Sequence, residues 1–195
     1  MSSDAPGFDR SLSLIAAELG SVVERLTDDA SSDDDGAEAL VDEIARARRV
    51  FVHGAGRSGL ALRMTAMRLM HLGHEVHVVG ETTTPAIAEG DVLLTASGSG
   101  TTESIVRAAR SAVEAGARVA LITTATESPL SELASATLVV PAAAKLDRSM
   151  TASAQYAGGL FEQTVVLVGD ALFHTLWQRS GRTADELWPR HANLE

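Results

Sequence analysis

Val50-Phe51-Val52-His53-Gly54-Ala55-Gly56-Arg57-Ser58-Gly59 decides the fold. A β-branched and aromatic run stops at a glycine, passes through a Gly-x-Gly-x-x-Gly spacing and enters a stretch of helical periodicity, the way a strand hands over to a helix in an α/β sheet. The helix is expected over residues 58–71, where Leu60, Leu62, Met64, Met67, Leu69 and Met70 give an apolar surface broader than one stripe. Downstream, short apolar runs at 75–79, 92–96, 119–123 and 137–140 read as further strands, with helices expected over 102–115 and 129–134. Strands alternating with helices at this spacing imply parallel pairing through right-handed crossovers, with helices on both faces of the sheet.

Upstream, residues 8–26 place Leu12, Ile15, Leu19, Val22 and Leu26 at helical spacing, and residues 37–48 do the same with Leu40, Val41 and Ile44. After Pro141, residues 142–154 read as a connector with a short helical piece, 158–179 as a long helix and 183–187 as a last turn. The tail 190–195 is too polar and too short to fold alone. The sequence therefore predicts an α/β fold: a doubly wound five-stranded parallel sheet with extra N-terminal and C-terminal helices. It forms a single domain over 1–195, with N-terminal helices at 1–48, a nucleus of alternating strands and helices at 49–141, and a C-terminal helix and tail at 142–195. In such sheets ligands sit beyond the carboxyl ends of the strands, where the strand order reverses. The loops after the first and third strands are the places to look.

Composition narrows the function. At 195 residues the chain is long enough for one sizeable core and short for two. Its longest apolar runs, such as Val165-Val166-Leu167-Val168, fall far short of a membrane span. The opening Met1-Ser2-Ser3-Asp4-Ala5-Pro6 lacks a secretion signal and the chain has no cysteine, so cytoplasmic residence is the default expectation. A net charge of −10 argues against nucleic acid bound through a broad basic surface. A single phosphate is different, because backbone N–H groups at a helix N-terminus can hold it without net positive charge. The acidic residues Asp28, Asp29 and Asp33 to Asp35 flank Ser31-Ser32 and read as a solvated loop rather than a metal cage.

The loop at 54–59 matches a dinucleotide fingerprint, and Glu81 lies near the spacing of a ribose-binding acid, so a nicotinamide site is one reading. The second loop, Ser97-Gly98-Ser99-Gly100-Thr101-Thr102, also follows a strand and opens a helix. It adds hydroxyl donors to the backbone N–H groups, which suits a monophosphate whose sugar reaches toward the first loop. A pair of tight turns capped by Ser and Thr is the purely structural alternative.

These residues resemble the sugar isomerase (SIS) domain family and, within it, the 6-phospho-3-hexuloisomerases. The resemblance runs from about Val50 to the C-terminus. It is carried by Gly56-Arg57-Ser58-Gly59 with Met67-Arg68-Leu69-Met70-His71-Leu72-Gly73, by the stretch from Val78 to Ile87, and by Ser97-Gly98-Ser99-Gly100. Leu160-Phe161-Glu162-Gln163 and the closing Arg190-His191-Ala192-Asn193-Leu194-Glu195 resemble the hexuloisomerases in particular, the tail being the most discriminating. The resemblance implies a flavodoxin-like SIS fold and interconversion of 3-hexulose 6-phosphate and fructose 6-phosphate through an enediolate, in the ribulose monophosphate pathway of formaldehyde assimilation. It implies no metal or organic cofactor, no nucleic acid or membrane partner, and a homotetramer. Glu162 is the expected base, half buried beside Phe161 and Leu160. His191 is the expected acid or proton shuttle, at a site shared between subunits in related isomerases, and His71 is a weaker candidate.

Ser97, Gly98, Ser99 and Thr102 match the phosphate loop, Gly56 and Ser58 are expected to contact the sugar or complete the phosphate shell, and Arg57 to bring positive charge near the substrate. Residues 82–85 are expected to form one wall. His53, His74, His77 and His174 show no metal-ligating spacing. Two departures stand out: Thr101 replaces a glutamate common among related isomerases, and Tyr156-Ala157-Gly158-Gly159 replaces a Pro-x-Gly-Ser segment. Other SIS sugar-phosphate isomerases and a non-catalytic sugar-phosphate sensor are the competing functions.

Overall fold

The computed structural model describes residues 7–29, 36–143 and 153–194; the acidic run at 33–35 and residues 144–152 of the expected connector lie outside the described residues. Two helices come first, α1 (Phe8–Asp29) and α2 (Gly36–Arg46). Then follow β1 (Val50–Gly54), α3 (Gly56–Leu72), β2 (Val76–Val78), β3 (Val92–Ala96), α4 (Glu103–Glu114), β4 (Arg118–Thr123) and β5 (Ala136–Val139). The long α5 (Gly159–Ser180), the short α6 (Ala184–Leu187) and a 3-10 turn (Trp188–Arg190) come last.

The strands form one all-parallel sheet in the order β2-β1-β3-β4-β5. The chain runs outward from β1 to β2 and then returns to β3 on the other side of β1, so the strand order reverses between β1 and β3. Connections leaving those two strands diverge there and leave a crevice at their carboxyl ends. Both glycine loops open onto it.

Each central strand is buried on both faces, which is why it reads as a continuous apolar run. Val50, Val52, Leu94 and Ile122 face a core shared with α2, α3 and α5. Phe51, Leu93 and Leu121 face the opposite core, where Ile105 and Ala109 of α4 cover them. The helix expected over 129–134 is absent; these residues form successive turns. Ser128 and Ser131 explain this by bonding each other. The Ser128 N–H donates to Ser131 Oγ at 2.7 Å, and the Ser131 N–H donates to Ser128 Oγ at 3.1 Å. Such side-chain bonds offer the backbone an alternative to a helical ladder, and Leu130, with no exposed surface, plugs the core here with Leu133 and Ala134 packed beside it.

At the opposite end of the sheet from the crevice, the fully buried Asp91 closes the start of β3. Its carboxylate accepts from Arg49 at 2.6 Å, from Arg48 at 3.2 Å and from the Ala88 N–H at 2.9 Å. Burial pushes this carboxyl up, but Arg49, Ala88 and Arg48 together outweigh it and hold Asp91 below the usual aspartate range. A carboxylate depressed in the folded state contributes stability above its unfolded pKa and loses it as the pH falls through the folded value. Asp91→Asn is expected to cost about 2–4 kcal/mol at neutral pH, below the full price of breaking a buried pair because Arg48 stays solvated. In thermal unfolding the gap between wild type and variant should shrink as the pH drops below about 4. A gap independent of pH would contradict the assignment.

Candidate active site

The crevice is built on a contact between backbones. A Cβ on Gly54 would lie 2.9 Å from the Gly59 Cα, and one on Gly59 would run into the Gly54 carbonyl. With glycine at both positions α3 starts directly on the end of β1, and Ser58 is buried in its first turn. The second loop is tied down by β4. The Ser97 N–H donates to the Ile122 carbonyl at 3.0 Å, and the Gly98 carbonyl accepts from the Thr124 N–H at 3.1 Å and the Thr124 hydroxyl at 2.7 Å. Gly100 turns the loop at φ +63°, against Ser128.

Neither helix start is closed by a side chain: Ala55 precedes α3, and Thr102 makes no capping bond to α4. The Thr102 hydroxyl instead lies 3.2 Å from that of Ser97, and the Ser99 hydroxyl accepts from the Thr101 hydroxyl at 2.9 Å. The hydroxyls are thus gathered within the loop rather than used as caps, and the first-turn N–H groups of both helices point out along their axes toward the crevice.

These features enclose a cavity of about 160 Å³. Gly56, Ser58, Ser97, Gly98, Ser99 and Thr102 line it. The wall facing them comes from the entry to α5: Ala157, Gly158, Phe161 and Glu162. α5 reaches this position because it lies close along α3; a Cβ on Gly169 would collide with the buried Thr65. The Glu162 side chain is 18% exposed, and its Oε2 sits 2.9 Å from Nη1 of Arg57. The sequence led us to expect a carboxylate half buried beside Phe161 and Leu160, with Arg57 bringing positive charge near the substrate. The structure pairs it with the guanidinium of Arg57 on α3, which does not itself line the cavity.

Other candidates stand elsewhere. Residues 82–85 do not line the cavity; Thr84 turns back to donate to the Val78 carbonyl at 2.6 Å. Glu81 pairs with Arg63 at 2.5 Å rather than facing the first loop. His71 and His191 stack on each other, ring centroids 4.1 Å apart, with Trp188 beside His191 at 4.8 Å. They sit at the far end of α3, about 20 Å from Ser58 at 1.5 Å per residue. Burial, then His191 and then Arg68, push the His71 imidazole below the ordinary histidine range. The tail is docked here: Thr183 and Glu186 form a capping box, and Arg182 donates to the Leu72 carbonyl at 2.8 Å. Among the described residues, no group of three His, Asp or Glu side chains is placed to hold a metal ion, and no helix is long and apolar enough to cross a membrane.

Sequence reasoning missed the wall residues Ala157, Gly158 and Phe161 as cavity lining. Their available signal was the glycine pair Gly158-Gly159 at the mouth of an apolar helix. Chemically, a hydroxyl-rich loop at one helix start, a second helix start and a carboxylate converge on one small space. That combination suits an anionic polyol, with N–H and O–H donors for the anion and the carboxylate able to accept a proton.

Comparison with known proteins gives this geometry a family. The SIS domain model matches residues 43–164, and the chain belongs to the SIS domain family. It is 52% identical to the 3-hexulose-6-phosphate isomerase of Mycobacterium gastri over 182 residues, covering 93% of this chain and 92% of that one. Among solved structures it is similar to a Methanococcus jannaschii protein described as inferring a 3-hexulose-6-phosphate isomerase function, at TM-score 0.78 and 29% identity over 95% of this chain and 99% of that one. The Vibrio vulnificus NanR protein complexed with ManNAc-6P is similar at TM-score 0.64 and 25% identity, over 90% of this chain and 64% of that one.

Gly59→Ala is expected to push α3 off the end of β1, lowering stability by about 2–3 kcal/mol, the cost of forcing atoms into a packed contact. Denaturant unfolding measures it. A loss under about 0.5 kcal/mol, the level of an ordinary surface change, would show that the contact does not fix the crevice.

Proposed function

We propose that the protein is an isomerase that interconverts 3-hexulose 6-phosphate and fructose 6-phosphate, acting in the ribulose monophosphate pathway after formaldehyde fixation. The observation that carries this reading is Glu162 facing the hydroxyl-lined loop across one cavity. The relative named for this reaction, whose likeness extends along nearly the whole chain, supports the choice of substrate.

In this reading the phosphate rests on the loop at 97–102, held by Ser97, Ser99, Thr102 and the first-turn N–H groups of α4, with Gly56 and Ser58 completing the shell. The sugar then extends toward α5. From fructose 6-phosphate, the Glu162 carboxylate removes the C3 proton and the C2 carbonyl oxygen becomes an enediolate oxyanion. The O3 proton passes to O2, and return of a proton to C2 leaves the carbonyl at C3. Arg57, beside Glu162, supplies positive charge to the oxyanion.

His191 is assigned to moving the oxygen-bound protons, with His71 stacked against it. Since the pair lies at the other end of α3, it serves the pocket of a second copy, in a homo-oligomer for which the family resemblance implies a tetramer. An exposed apolar band along α3 supports this: Leu60 and Met67 are 63% and 58% exposed, and Met64 and Met70 continue the band between and beyond them. Two α3 helices packed antiparallel along it would bring the histidines of one copy to the Ser58 end of the other. A cytoplasmic location fits substrates that are phosphate anions, which do not cross a bilayer unaided. A sugar-phosphate sensor is the second reading, favoured by the likeness to NanR; it would bind the same ligand without turnover.

Glu162→Gln is expected to lower kcat by roughly 10²–10⁴-fold, the usual contribution of a general base, while calorimetry shows fructose 6-phosphate still bound. Retained turnover would reject Glu162 as the base. Truncation after Arg190 is expected to lower turnover as well, and unchanged turnover would remove His191 from the mechanism.

A further inference from the structure

The cavity wall that neither glycine loop supplies has an unfavourable backbone. Ala157 takes φ +46°, the one non-glycine residue with positive φ among the described residues, and Gly158 follows at φ +81°. Left-handed backbone at a residue bearing a Cβ persists where its surroundings hold it. Both residues line the cavity.

What holds this segment comes from α1. The Glu18 carboxylate accepts hydrogen bonds from the Ser153 hydroxyl at 2.8 Å, the Ala154 N–H at 2.6 Å and the Gln155 side-chain amide at 2.9 Å, across 135 to 137 positions of sequence. Ser153 is buried, and its hydroxyl accepts in turn from the Gln155 N–H at 3.0 Å. The order continues into the site: the Gly159 N–H donates to the Tyr156 carbonyl and the Glu162 N–H to the Gly158 carbonyl, each at 3.2 Å. A Cβ on Gly159 would stand 3.3 Å from Oε1 of Gln155 and 3.8 Å from Nη1 of Arg57. The Gln155 amide therefore touches Glu18 with one end and reaches the start of α5, beside the Arg57–Glu162 pair, with the other.

We propose that Glu18 is a positioning residue for the pocket, fixing the left-handed Ala157-Gly158 wall and the entry to α5 through Ser153, Ala154 and Gln155. Only a carboxylate accepts all three donors at once; a glutamine would turn its own N–H groups toward one of them. Burial pushes the Glu18 carboxyl up, but the bonds from Ala154, Gln155 and Ser153 together outweigh it and keep it below the usual glutamate range. The kinetic part of the proposal rests on the isomerase reading, whereas its structural part does not.

Glu18→Gln tests both. Because Glu162 also has the packing of α5 to hold it, KM for fructose 6-phosphate should rise about tenfold while kcat changes less, the pattern of weakened substrate binding. Amide hydrogen exchange across residues 155–159 should quicken in the ligand-free protein, with little change in melting temperature. Gln155→Ala, which leaves α1 intact, should reproduce the KM rise in a second fold-preserving background. Unchanged exchange at 155–159, or faster exchange with unchanged KM, would overturn the proposal. So would a loss of melting temperature and kcat together without a KM effect. If wild type turns over neither ketose, the isomerase reading fails, and exchange in the same variants still decides the tether.

Discussion

The contact between Gly54 and Gly59 governs the rest of the structure. Two backbone segments meet where a Cβ on either would collide, so α3 begins on the end of β1 with only Ala55 between them. That places the α3 N-terminus at the strand-order reversal, beside the loop leaving β3. α5 then lies along α3 at the Gly169–Thr65 contact, which sets the height at which Glu162 stands above the cavity. Two close approaches, each depending on the absence of a side chain, thus turn a common sheet topology into a pocket with a carboxylate on one wall.

The electrostatics follow from that construction. A chain of net charge −10 is a poor general host for anions, and the pocket answers this locally. Helix N-termini and loop hydroxyls act over a few ångströms, within the range where salt and the remote acidic surface matter little. The Arg57–Glu162 pair keeps the wall carboxylate matched in charge beside an anionic ligand. Proton transfer at carbon needs a carboxylate near the substrate, while phosphate binding would ordinarily repel one. Placing the phosphate donors on the β3–α4 loop and the carboxylate on α5 separates the two demands across the cavity.

The sheet was legible in the sequence because its signals are local. Strand runs such as Val92–Ala96 and the glycine and hydroxyl spacing of both loops depend on near neighbours, and the cavity residues they supply were identified from that pattern. Residues 129–134 carry a helical pattern yet form turns, because the side-chain to backbone bonds between Ser128 and Ser131 leave no mark in hydrophobic periodicity. The far wall was missed for a different reason. Ala157, Gly158 and Phe161 reach the cavity only through the packing of α5 on α3 and the reach of Glu18 from α1, contacts more than a hundred positions apart in sequence. The positions of His71 and His191 depend on the tail folding back onto the end of α3, which a polar segment that short does not announce.

The reaction assigned to this cavity moves a carbonyl between adjacent carbons of a six-carbon ketose phosphate. Incubating the wild-type protein with fructose 6-phosphate in deuterated water, and following the carbon-bound protons by NMR, tests it most directly. Deuterium at C3 of recovered fructose 6-phosphate is expected, together with appearance of the 3-ketose. Tight binding of fructose 6-phosphate with no 3-ketose and no exchange at any carbon would contradict it.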